Sequence, residues 1–169
     1  MKKIIALLLC GLFLCGCTPE AVPTEPVTEP TAEPEVQMAT VPETQPEVFP
    51  ITIYHGNANA DGFETTEFEV EEVSTDVLMA KLIEAGVLNE DVVLGGMKFQ
   101  DGGIVLNFND AFGNQLNTMG TAGERMMVGS VVNTFLTAFD KVDKVSILVS
   151  GQIFESGHVV YDEPMEFFE

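Results

Sequence analysis

A serine hydrolase wants its nucleophile on a sharp turn with a glycine two residues before it, and Ser130, Ser150 and Ser156 all lack that glycine. His55 and His158 could ligate zinc. Two histidines a hundred residues apart, with no cysteine in the same segment to join them, fit surface or capping roles better. Glu67, Glu69 and Glu71 sit two apart, so on a strand they share one face and invite a divalent ion; a row of charges there also protects a sheet edge from pairing with another chain, which is the reading favoured here. Asn107-Phe108-Asn109-Asp110 followed by Gly113-Asn114 has the flavour of a calcium loop. Ala111 stands where a ligand belongs and Thr118 where the closing carboxylate belongs, so the segment is expected to be a turn. Pairs such as Glu71 and Glu72, or Asp162 and Glu163, could do acid–base work only in a cleft that drives their pKa values apart. No catalytic set, cofactor site or metal site is expected, and the chain is read as a non-enzyme.

The one residue with a definite chemical expectation is Cys17. Lys2 and Lys3, the apolar run from Ile4 to Leu14 and the small residues after it have the layout of a secretory signal over residues 1–16. A membrane span needs roughly 20 apolar residues, and this run stops well short. Leu14-Cys15-Gly16-Cys17 resembles the bacterial lipobox, which places signal cleavage between Gly16 and Cys17 and a diacylglyceryl group on the Cys17 thiol. Cys10 and Cys15 would leave with the signal, so Cys17 alone would remain and no disulfide could form within the chain. Each buried methylene of the acyl chains contributes about 0.8 kcal/mol, so two chains hold firmly. The expected location is the extracytoplasmic face of the cell membrane.

Residues 17–50 read as a stalk. Eight of the nine prolines and seven glutamates lie between Thr18 and Pro50, with the degenerate repeat Thr24-Glu25-Pro26, Thr28-Glu29-Pro30, Ala32-Glu33-Pro34. Proline fixes its own φ and pushes its predecessor to extended backbone, and like charges stiffen the chain further. At about 3.1 Å per residue such a segment reaches on the order of 90 Å.

Residues 51–169 have the length and apolar content of one domain. Ile51-Thr52-Ile53-Tyr54 and the stretch through Val70 predict two strands joined by the turn-rich residues 55–62. Ser74-Thr75-Asp76 opens a helix with Leu78, Met79, Leu82, Ile83 and Ala85 along one side and Gly86 as its stop. Asp101-Gly102 between two apolar runs predicts a hairpin, and Gly95-Gly96 a bulge in its first arm. Thr121-Ala122-Gly123-Glu124 has the spacing of a capping box at the start of a second helix. Val128, Val131, Val132, Phe135, Leu136 and Phe139 give that helix a continuous apolar stripe, and Lys141 and Lys144 suit its negative end. Val145, Ile147 and Val149 predict a strand, and Val159-Val160-Tyr161 a last short one. The order ββαββαβ predicts an α+β domain with two helices packed on one face of a mixed, mainly antiparallel sheet.

The chain carries a net charge of −20, and residues 51–169 hold twenty carboxylates against the five cations Lys81, Lys98, Arg125, Lys141 and Lys144. That field repels a polyanion, so nucleic acid is excluded as a partner. It leaves two kinds of partner: an envelope protein or another copy of the chain, or alternatively a small cationic ligand or divalent metal ion.

Several segments together resemble the GerMN domain, named for sporulation and spore germination proteins and found in lipoproteins of Gram-positive bacteria. They are Ile51-Thr52-Ile53-Tyr54, Asp101-Gly102 with its following strand, Val132-Asn133-Thr134-Phe135-Leu136, Val145-Ser146-Ile147-Leu148-Val149-Ser150-Gly151, Gly157-His158-Val159 and Glu163-Pro164. The resemblance implies a non-enzymatic module with a fold similar to ring-building domains of sporulation envelope machinery. The germination proteins of that name carry two copies and this chain has room for one, and Asn107 stands where relatives often show aspartate.

Overall fold

In the computed structural model, which describes residues 47–169, the alternation around Ile51 and Ile53 becomes β1 (Phe49–Gly56), paired antiparallel along its whole length with β2 (Phe63–Val70). Ile51 and Ile53 point into the core, and Glu67 and Glu69 lie exposed on β2, whose outer side pairs with no described strand. Glu71 falls just past the strand end. The signal segment, Gly16 and Cys17, and the stalk up to residue 46 lie outside the described residues.

Helix α1 (Thr75–Glu84) starts as its residues dictate, with the Ser74 hydroxyl accepting from the Val77 amide at 3.3 Å. It buries Leu78, Met79 and Leu82, and Gly86, at φ +73°, turns the chain away. The hairpin of β3 (Leu94–Gln100) and β4 (Gly103–Phe108) turns through Asp101 and Gly102, both at positive φ, the conformation that favours an Asp-Gly pair. The expected bulge is present, as the register slips between Leu94 and Gly96.

The expected turn at Asn109-Asp110 is instead the start of a helix, α2 (Asp110–Asn117). Gly113, Asn114 and Asn117 are poor helix formers, so local preference does not announce it. Packing forms it: Phe112 stacks on Phe108 with centroids 4.2 Å apart, Leu116 is buried, and the Gln115 amide bonds to the backbone of Val87 and Asn89.

Helix α3 (Thr121–Ala138) is the axis of the domain. Every residue from Met126 to Phe135 is buried, not only the predicted stripe. The cause is position. Thr134 accepts from the Tyr54 amide of β1, Gly129 lies so close to Phe63 of β2 and to Phe168 that a Cβ would sit 2.4 Å from the Phe63 ring, and α3 also meets the second sheet at β5 (Val145–Val149). The capping box does not form. Gly120 is the N-cap, Thr121 is exposed in the first turn, and Glu124 is turned inward. Lys141 and Lys144 lie beyond the helix end rather than in its last turn.

Strand β5 pairs parallel with β4 and antiparallel with β6 (Gln152–Ile153), through a turn at Ser150 and Gly151, again both at positive φ. The segment expected as the last strand forms only an isolated bridge, Val160 with Glu155, because the chain there folds over the start of α3; Met165 then bridges Val145. The α+β class and the mixed pairing stand as predicted. The structure adds a third helix and divides the strands between a two-stranded sheet and a four-stranded sheet of order β3-β4-β5-β6.

Candidate functional site

Glu124 lies four residues before Val128, so it falls on the same side of α3 as the apolar stripe and is carried into the interior at 1% exposure. Its Oε1 accepts a hydrogen bond of 2.5 Å from the Tyr161 hydroxyl, and its Oε2 has no hydrogen-bond partner among the described residues. The pair borders a cavity of about 420 Å³ between the first turns of α3 and the segment 159–168, walled largely by Val128, Val160, Pro164, Met165 and Phe168. Arg125 also lines this cavity; its guanidinium lies over the rings of Phe63 and Phe168 and donates to the backbone carbonyl of Glu169 at 2.9 Å.

Burial, the hydrogen bond to Glu124 and the charge of that carboxylate all push the Tyr161 pKa far above its ordinary value. A raised folded-state pKa means that the folded chain keeps a proton which the unfolded chain releases above about pH 10. The stability from this pair is therefore complete below that pH and is lost as pH rises past it. Tyr161→Phe should remove this component: its melting temperature should fall less steeply than that of the parent above pH ~10, measured by circular dichroism. Equal slopes would show that the hydroxyl is not sequestered.

The other candidates do not converge. Ser130 is buried in mid-helix, and its hydroxyl has no partner among the described residues. Ser150 donates to the Asp110 carboxylate, and Ser156 accepts from the amides of His158 and Val159, closing a local turn. His55 pairs with the Thr66 hydroxyl at 3.2 Å and His158 is exposed. Asn107 accepts from the Gly151 amide, while Asn109 bonds Val93 and Asp91, so the residues of the calcium-like loop tie β4 and α2 to their neighbours. No group of three or more histidine, cysteine, aspartate or glutamate side chains converges among the described residues. Glu124 was legible only as a capping residue; its spacing to Val128 was the signal for burial, and nothing in the sequence linked it to Tyr161.

The family model Germane, described as sporulation and spore germination, matches residues 52–155. The chain belongs to this family. The match runs from within β1 to just past β6, taking in all three described helices, and ends before the segment 159–168 that walls the Glu124 cavity. Among solved structures, the tandem GerMN domains of the sporulation protein GerM from Bacillus subtilis superimpose with a TM-score of 0.51 at 22% identity, over 78% of this chain and 49% of that one. The chain thus spans about half the length of that relative. The first GerMN domain of the same protein gives 0.45 at 17% identity over 70% and 96% of the two chains, and a candidate lipoprotein from Clostridium perfringens 0.43 at 18% over 70% and 87%. A comparison with curated protein sequences gives no significant match. No helix among the described residues is long and apolar enough to cross a membrane.

Proposed function

We propose that this chain is a lipoprotein held at the extracytoplasmic face of the cell membrane through a lipid on Cys17, and that its Germane domain is a non-catalytic interaction or assembly module of the envelope, linked to sporulation or germination. The observation that carries the reading is the arrangement around Glu124: a recess with largely apolar walls and one buried acid, suited to holding a partner's group, while Ser150, Ser156 and His55 are engaged in bonds elsewhere. Membership of the family supports the link to spores. The charge balance of residues 51–169 supports a protein partner over nucleic acid.

Cys17→Ala should abolish lipid attachment and leave the domain folded. Fractionation and mass spectrometry of the mature chain test this: a Cys17→Ala protein that still carries acyl chains would refute the anchor. Crosslinking of the full chain in native membranes tests the module, and recovery of no protein partner and no second copy would refute it.

A further inference from the structure

The Glu124 cavity combines apolar walls with a carboxylate oxygen whose pairing is left open. Burying an acceptor without a donor costs about 1–3 kcal/mol, and more when it is charged, so a donor brought to Oε2 recovers free energy already spent in folding. The lining adds the exposed side chains of Val159 and Val160, the two acids Asp162 and Glu163, and one cation, Arg125, which is engaged with the Glu169 carbonyl. We propose that this cavity is a socket for a lysine side chain presented by a partner protein, with the alkyl stem along Val128, Val160 and Met165 and the ammonium against Glu124 Oε2. The proposal rests on the reading of the domain as an interaction module and names the chemistry of its partner.

Three features select lysine. The surplus of negative charge on the domain draws a cation. Tyr161 occupies Oε1, so the carboxylate offers a single oxygen, which suits the compact point charge of an ammonium and denies a guanidinium its two-oxygen contact. A lysine stem is apolar to its last carbon and can bury along apolar walls while its head is paired. A protein source is favoured over a free amine because Val159 and Val160 form an exposed apolar lip that a small amine would leave bare and a protein surface would cover. Oε2 is shielded from bulk water, so occupancy of the socket requires residues 162–164, the stretch between the bridges at Val160 and Met165, to give way.

The full chain in detergent, titrated at low salt with capped lysine, capped arginine, capped norleucine and n-butylamine, tests the socket by amide shifts at Val160 and Tyr161. Capped lysine should bind saturably and at least about tenfold more tightly than capped norleucine, the effect of one charge-assisted hydrogen bond, and also more tightly than capped arginine and n-butylamine. Glu124→Gln should remove that advantage without changing the fold. Tyr161→Phe frees Oε1 and should narrow the gap between lysine and arginine, which keeps the proposal open to refutation if Glu124→Gln does not fold. Norleucine binding as well as lysine, n-butylamine binding more tightly than lysine, or an unaffected Glu124→Gln would each overturn it. Membrane crosslinking separates the two levels: partners retained by Glu124→Gln overturn the socket and leave the module standing, whereas an unmodified chain that captures nothing overturns both.

Discussion

Phe135→Ala lowers the stability of the domain by about 3–5 kcal/mol, the range for emptying a large aromatic site in a core. Phe135 is fully buried in α3 and stacks on Phe139 with centroids 6.2 Å apart. Its helix packs against β1 and β5, in different sheets, and collapse onto the vacancy would have to pull the two sheets together. The void therefore persists, and its lining loses contacts that no neighbour can replace. For a domain of this size the loss corresponds to a fall of at least about 10 °C in melting temperature. Phe99→Ala is the matched comparison. Phe99 touches Phe139 edge-on at 5.9 Å but is 62% exposed on the outer strand of its sheet, so its truncation should cost well under half as much. Thermal melts of both variants decide the matter, and equal losses would show that Phe135 is not at the centre of the core.

The difference between Phe135 and α2 explains which parts of this fold can be read in advance. Phe135 belongs to a run whose spacing, helix start and companions all agree, so the local and the global signals coincide. The same agreement made β1, β2, α1, the β3–β4 hairpin and β5 legible. In α2 they conflict: Asn109, Gly113 and Asn114 have turn chemistry, and only the docking of Phe112 on Phe108 and of Leu116 in the core, contacts between elements, overrides it. The division into two sheets was hidden for a related reason. Alternation says which face of a strand is buried and nothing about which strand lies beside it, so β1 and β2 could not be separated from the rest. Glu124 was misread through a genuine ambiguity, since an acid in the first turn both suits the positive helix end and, four residues ahead of Val128, faces inward. The hydroxyl of Tyr161, 37 residues away, tips the balance toward burial.

Asn133 is the buried polar residue whose loss should cost most after Phe135. It is fully buried in the middle of α3, where its Oδ1 accepts from the Phe168 amide at 2.8 Å and its Nδ2 donates to the Phe168 carbonyl at 2.9 Å. One side chain thus satisfies both backbone groups of a residue 35 positions away, as a neighbouring strand would. Asn133→Leu removes both partners at once and leaves an amide and a carbonyl to be desolvated without compensation, at about 1–3 kcal/mol each, less whatever the segment recovers by moving into water. The expected result is a loss of about 2–4 kcal/mol and release of the segment around Phe168, which also uncovers the closely packed face at Gly129. Hydrogen exchange distinguishes this from general unfolding. The Phe168 amide should lose its protection, while the Tyr54 amide, held by Thr134 one residue along the same helix, should keep it. Retained protection at Phe168 would show that its ring, seated on Gly129 beside Phe63, holds the segment without help from Asn133.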